Sequence, residues 1–380
     1  MDFGFLAHST WGWVYGLVFP TAFLTALVVT PLVGSYARRI GFLDVPNQRA
    51  SHASPTPLGG GAAIAIAFLV SVHLGIFQAG SSDVSLPLII FGGLVVLTLG
   101  LVDDFMGGIP ATLKLAALFA LTLLLWRMDS RLIIKITPWV WFNVTLTLLW
   151  IVGVTSAINA IDNMNGLSVG FVAIAALAYF AVAIETLADR ENFTLLNRFW
   201  ALVSLALCGS CLGFLPYNFP RGRIFIGDGG SFFLGFNLAV LGVMGEWSHL
   251  SSARATIPLL ILALPIFDLA FTVFTRHREG VTRTLVEAIQ HCARDHLSHR
   301  LVDAGLSKAQ AVLVLHAVAA VLALSAVEVA KSDTLSSTCL HLTQAGTVLV
   351  ILGVLIKVGG TKGTQPRGEI PTGTPPLEGD

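Results

Sequence analysis

Two adjacent carboxylates, Asp103 and Asp104 in the segment Leu-Val-Asp-Asp-Phe, are the first residues of this 380-residue chain whose placement suggests chemistry. At the edge of an apolar run they repel one another unless a cation lies between or beside them. Mg²⁺ is the natural ion, because it takes one or two carboxylates together with waters and phosphate oxygens. A solvated helix end explains such a pair when it stands alone. Further acidic segments follow. Asn159-Ala-Ile-Asp162-Asn-Met-Asn165-Gly166 closes a later apolar run, with Asn159 and Asp162 spaced to share one helix face. Phe225-Ile-Gly227-Asp228-Gly229-Gly230-Ser231 sets a glycine-flanked carboxylate directly before another run. Glycines there let the chain turn and expose N–H groups, and Ser231 is expected to cap the next helix. Near the C-terminal third, Asp295-His296-Leu-Ser-His299-Arg300 offers cationic and imidazole groups that could reach a diphosphate.

The elements that must position these groups are membrane helices. Hydrophobic residues make up 55% of the chain and charged residues 12%, too few charges to coat a soluble fold of this size. A bilayer core needs roughly 20 apolar residues per helix. Runs without Asp, Glu, Lys or Arg cover 3–37, 50–82, 84–102, 136–161, 163–184, 199–220, 229–245, 309–327 and 334–356. Two more, 105–126 and 255–275, are each interrupted by one charge, Lys114 and Asp268. The reading is an all-α polytopic membrane protein of about 11 transmembrane helices. A single transmembrane domain is expected over residues 1–358, with a disordered cytoplasmic tail over 359–380. Arg131 to Ile136 is read as a short strand, and residues 279–300 as a helix lying in the interface, from their apolar spacing.

Eleven spans put the termini on opposite sides. With the N-terminus outside, 15 of the 22 Lys and Arg residues fall on the cytoplasmic side and 7 on the outer side, which supports N-out, C-in. The first 37 residues carry one charge, Asp2, and no basic segment, so a retained first helix is expected in place of a cleaved signal. In this topology the acidic and histidine segments named above all meet at the cytoplasmic boundary, and the strand over Arg131 to Ile136 lies on the outer side. Helices beginning there, at Gly59-Gly60-Gly61 and Gly229-Gly230, would aim their positive ends at the same face. Carboxylates, a cation, helix N-termini and Arg/His groups together make a site for a polyphosphate ester. Lys+Arg and Asp+Glu are both 22, so no basic field for nucleic acid exists and none is expected as a partner. Cys208 and Cys211 lie inside an apolar run and read as packing residues. His73, Glu185 and His341 read as packing or interface groups, whereas Asp268 sits close enough to the active face for a supporting role.

In chain order, these segments resemble the polyprenyl-phosphate N-acetylhexosamine-1-phosphate transferases. The loop from Asp44 to Gly61 is similar to that family's D-x-P-N-x-R-x-S-H-x-x-P-T-P-x-G-G-G pattern. The resemblance spans about residues 15 to 355. It implies a bacterial inner-membrane enzyme in which polyprenyl phosphate attacks the β-phosphorus of a UDP-sugar. UMP is released, and Mg²⁺ is required. By motif, Asp103, Asp104 and Asp162 would be catalytic, and Asp228 with Asp104 would hold the metal. Phe225 would stack on uracil, with Asn159, Asn165 and Asn218 in the same pocket. His52, His296, His299 and Arg300 would bind the sugar or its diphosphate. Homodimerisation is an open expectation. Two residues depart from the pattern: Asn165 stands where the family usually has Asp, and Ser298 where relatives often have His.

An alkyl phosphate has a second pKa near 6, so the acceptor is largely dianionic at pH 7. Direct in-line attack therefore needs little help from a base and is preferred to a covalent aspartyl intermediate. Two other readings stay open at this stage. A cation- or proton-coupled transporter would need ionisable groups near the bilayer midplane, where only His73, Glu185 and Asp268 qualify. An inactive lipid-phosphate-binding homologue is the other.

Overall fold

The computed structural model describes residues 10–46, 54–80, 83, 85–188, 195–245, 254–282, 284, 287, 294–332 and 334–360. The first eight helices are α1 (Thr10–Ile40), α2 (Gly60–Ala79), α3 (Ser85–Met106), α4 (Ala111–Met128), α5 (Val140–Ile161), α6 (Leu167–Ala188), α7 (Leu195–Asn218) and α8 (Gly227–Met244). Shorter helices α9 (Ile257–Ile261), α10 (Ala263–Arg278) and α11 (Leu297–Asp303) follow, and then α12 (Lys308–Ser332) and α13 (Leu335–Gly360). Among the described residues, α1 to α8, α12 and α13 give ten helices long and apolar enough to cross a membrane. The protein is therefore an all-α, multi-span membrane protein.

The stretch expected as an unbroken ninth span is two helices, α9 and α10, parted at Leu262 (φ −100, ψ 11). Pro265 explains the break, because a proline ring clashes with the carbonyl four residues earlier and offers it no N–H. The strand expected over Arg131–Ile136 is not formed; those residues are turns and bends. Their donors go instead to α5 side chains: Ile134 N–H to Thr147 Oγ1 at 2.9 Å and Ile136 N–H to Asn143 Oδ1 at 3.2 Å. The β-structure among the described residues is an antiparallel pair, β1 (Leu43–Asp44) with β2 (Thr56–Pro57), in register Leu43 to Pro57 and Asp44 to Thr56. Helix α13 runs two residues past the expected domain end, and residues 361–380 lie outside the described residues. Most of the expected interfacial segment does too.

Helix α8 is the axis of the bundle. Every residue from Gly229 to Met244 is buried, against α3, α5 and α2. Lipid tails are as apolar as leucine, so membrane helices gain mainly from close packing, which small residues permit. Gly61 of α2 and Gly230 of α8 meet backbone to backbone, and Gly100 of α3 meets the backbone of Asp228 and Gly229. A Cβ at either crossing would overlap main-chain atoms. These contacts hold the start of α8 against α2 and the end of α3, where the polar residues collect.

Candidate active site

Asp104, at the end of α3, accepts two backbone hydrogen bonds from the start of α8: Asp228 N–H at 2.9 Å and Gly229 N–H at 3.2 Å. It thus caps α8 from another helix, supplying an acceptor to N–H groups that the helix cannot satisfy itself. The expectation that Ser231 would be the cap is corrected. Ser231 lies inside α8 and accepts from Asn159 Nδ2 at 2.8 Å. The N-terminus of α2 is also occupied within the protein, because Gly60 N–H and Gly61 N–H donate to the carbonyls of Phe225 and Ile226 at 2.9 and 3.0 Å. These donors of α2 and α8 brace the fold, contrary to the expectation that they would face a phosphate.

Lys114 joins the carboxylates. Its ammonium donates to Asp103 Oδ2 at 2.7 Å and Asp228 Oδ2 at 3.1 Å, and lies 5.5 Å from the Phe232 ring centre. Asp103 is buried, and its other oxygen accepts from Ile109 N–H. Asp228 Oδ1 accepts from Asn159 Nδ2 at 3.0 Å. Thus the ends of α3 and α5 and the starts of α4 and α8 meet at one point. Sequence reading missed Lys114 as a site residue. Its signal was the single charge interrupting an apolar run, eleven positions after Asp103.

Asp162 follows α5, and its Oδ1 accepts from the Ser168 hydroxyl at 2.6 Å. Burial pushes its carboxyl up to about 7, and the nearby charges of Asp228 and Asp104 push the same way, against the Ser168 bond. Asp162, Asp228 and Asp104 therefore share one electrostatic neighbourhood, and Lys114 joins Asp103 to it. Among the described residues, no three His, Cys, Asp or Glu side chains form a ready metal cage. The donor chemistry nevertheless suits Mg²⁺, which takes one or two carboxylates and completes its shell with waters and phosphate oxygens. Asp228, expected as a metal ligand, accepts from Lys114 on one oxygen and from Asn159 on the other, whereas Asp104, expected as the second ligand, has both oxygens turned to N–H groups at the start of α8.

Asn218 is a buried strut. Its Oδ1 accepts Gly166 N–H at 2.6 Å, and its Nδ2 donates to the Ile224 carbonyl at 2.9 Å, tying the loop after α5 to the loop before α8. Asn165 lies beside Pro220, its Nδ2 3.5 Å from that carbonyl. Phe225 is held through its backbone, which donates to the Pro57 carbonyl at 2.9 Å. His52 lies outside the described residues.

The histidine segment is assembled on α10. Asp268 is buried and accepts from His296 Nδ1 at 2.8 Å and from Leu297 N–H at 2.7 Å. Asp268 thus holds the first N–H of α11 and fixes the His296 imidazole. Arg276 grips Asp295 with two bonds of 2.7 Å. Burial alone would raise the Asp295 carboxyl, but this guanidinium holds it below the ordinary range. Arg300 donates to the Asp295 carbonyl at 2.6 Å and lies 5.4 Å from the Phe271 ring centre. His299 is partly buried; burial, then the charges of His296 and Arg294, hold its imidazole below the usual value. Ser298 reaches from α11 to Asn163 at 2.5 Å, beside Asp162.

The comparisons with known proteins fall on this same geometry. The family model described as glycosyl transferase family 4 matches residues 86–246, which include Asp103, Asp104, Lys114, Asp162 and Asp228. A probable undecaprenyl-phosphate N-acetylglucosaminyl 1-phosphate transferase of Bacillus subtilis is 30% identical over 327 residues, 84% of this chain and 86% of the relative. A decaprenyl-phosphate N-acetylglucosaminephosphotransferase of Mycobacterium tuberculosis is 27% identical over 368 residues, 90% of this chain and 87% of the relative. A phospho-N-acetylmuramoyl-pentapeptide-transferase of Halalkalibacterium halodurans is 31% identical over 249 residues, 59% of this chain and 73% of the relative.

Proposed function

This chain belongs to glycosyl transferase family 4 and is an enzyme of the phosphoglycosyl transferase type; from that premise we propose that it moves a sugar 1-phosphate from a UDP-sugar to polyprenyl phosphate. In the proposed reaction an acceptor phosphate oxygen bonds to the donor's β-phosphorus. The bond from that phosphorus to the oxygen bridging it to the α-phosphate breaks, and UMP leaves with the electron pair. The products are UMP and a polyprenyl-diphosphate sugar. N-acetylhexosamine is the proposed sugar, the unit named in the relatives above.

The observation that carries this reading is the Asp103–Lys114–Asp228 bridge, which draws three helix ends to one point beside Asp162. Asp228, with Asp162, would hold Mg²⁺. When bound, the ion would neutralise charge on the donor's phosphates, as in other phosphoryl transfers. Asp104 is assigned to holding Asp228 in place through the two N–H groups it accepts, and Asn159 to orienting the Asp228 carboxylate. Lys114 adds a fixed positive charge where the transferred phosphoryl group passes. Phe225 and Asn165 are assigned to the nucleotide side, and His296, His299 and Arg300 to the sugar and its diphosphate. The acceptor is already largely dianionic, so no carboxylate need act as its base.

One substrate is a lipid and the other water-soluble, so a site at helix ends serves both. We place that end at the cytoplasmic face of a bacterial inner membrane, with the N-terminus outside, eleven crossings counting α9 and α10 as one, and residues 359–380 as a tail. A panel of radiolabelled UDP-sugars, incubated with purified protein, polyprenyl phosphate and Mg²⁺, tests the reading. UMP and lipid-linked label forming in equal amounts from a UDP-N-acetylhexosamine support it. Divalent-cation flux in liposomes without UMP release would replace it with a transporter.

A further inference from the structure

Ser298 is 1% exposed, and its hydroxyl donates to Asn163 Oδ1 across 135 positions of sequence. The amide of Asn163 is itself fixed, because its Nδ2 donates to the Ala160 carbonyl at 3.0 Å and closes the turn that ends α5. Each partner is the immediate neighbour of a candidate site residue: Asn163 follows Asp162, and Ser298 precedes His299. The rest of α11 is secured to α10, with His296 and Leu297 on Asp268 and Arg300 on Thr275 at 3.3 Å. The Ser298 bond therefore ties α11 and α10 to the loop of residues 162–166.

We propose that this hydrogen bond is a gauge setting the gap between the loop of residues 162–166 and α11, which makes Ser298 and Asn163 positioning residues for the donor. The proposal rests on the transferase reading above, in which the loop serves the nucleotide and α11 the sugar diphosphate. A UDP-sugar must touch both sides at once and so senses the gap. UMP touches the loop side and does not. A neutral hydrogen bond contributes modestly to stability, whereas a ligand held on two surfaces loses affinity when the gap between them is no longer preset. The effect of losing the bond is therefore expected in donor use more than in folding.

The test compares Ser298→Ala, Asn163→Ala and the double variant, with UDP-N-acetylglucosamine as donor and UMP as inhibitor. In each variant KM for the donor should rise roughly tenfold, while the inhibition constant of UMP stays within about twofold of wild type. The double variant should be no worse than either single one, because both remove the same bond. Asn163 is only partly buried, so its variant carries the test should Ser298→Ala fail to fold. A donor KM unchanged in a folded variant would overturn the gauge, as would UMP weakened as much as the donor. Wild-type protein that releases no UMP would instead overturn the transferase reading and the gauge with it.

Discussion

Replacing Gly100 by Ala adds one methyl group at the crossing of α3 and α8, and the consequence can be worked out from the contacts there. A Cβ at Gly100 falls within 3.0 Å of the backbone of Asp228 and Gly229. No side-chain rotation relieves a clash with main chain. Ordinary carbon contacts are about 3.5–4.0 Å, so the two helices must part by roughly 1 Å. That movement carries Asp228 away from Lys114, now 3.1 Å from it, and from Asp104, which accepts its N–H at 2.9 Å. Overpacking costs about 1–3 kcal/mol, and Ala in place of Gly in a helix returns about 1 kcal/mol. Stability should therefore fall by no more than about 2 kcal/mol, while misplacing a reacting group by about 1 Å should cut turnover on the order of 100-fold. Gly153→Ala is the matched control, because nothing lies within 4 Å of its Cβ position. UMP release and thermal unfolding of the detergent-purified variants read the two effects separately. Full turnover in Gly100→Ala would refute the claim that the crossing sets the position of Asp228.

Lys114→Met removes the ammonium shared by Asp103 and Asp228. With both carboxylates left facing one another, turnover should fall by about 10²–10³ and the melting temperature should also drop; unchanged kinetics would remove Lys114 from the site. Beyond the membrane helices, the Asp83 and Asp129 carboxyls are held below the ordinary range. In each case burial, which would raise them, is outweighed by hydrogen bonds from Arg131 and Ser85. Depressed carboxyls stabilise the fold above their unfolded value of about 3.9 and lose that contribution as pH falls through their folded values. Melting curves between pH 7 and pH 3 should therefore show an acid-labile increment below about pH 4 that Arg131→Gln reduces, and equal acid loss in both proteins would contradict this.

Much of the fold was legible because membrane helices announce themselves by length and apolarity. The exceptions have local causes. Pro265 splits the run that contains Asp268, and Asn143 and Thr147 of α5 take the donors that an isolated strand over residues 131–136 would have needed. At the site, residue types were legible but their division of labour was not. Asp103 and Asp104 are adjacent and look equivalent, yet one grips Lys114 and the other caps α8. Successive residues of a helix point about 100° apart, and which face meets which neighbour is decided by packing far along the chain. Asn218 looked like a ligand and is a strut between two loops. Ser298 looked like a missing histidine and makes a bond that spans 135 positions.

The central claim is that Asp228, held among Asp104, Lys114 and Asn159, is the hub of a sugar-phosphate transfer to polyprenyl phosphate. It is tested most directly by quantifying UMP and lipid-linked sugar made by purified wild-type protein and by Asp228→Asn, with UDP-N-acetylglucosamine, polyprenyl phosphate and Mg²⁺. The account predicts equal amounts of both products from wild type and at least a roughly 100-fold loss in the variant. Wild-type-like product formation by Asp228→Asn would contradict it.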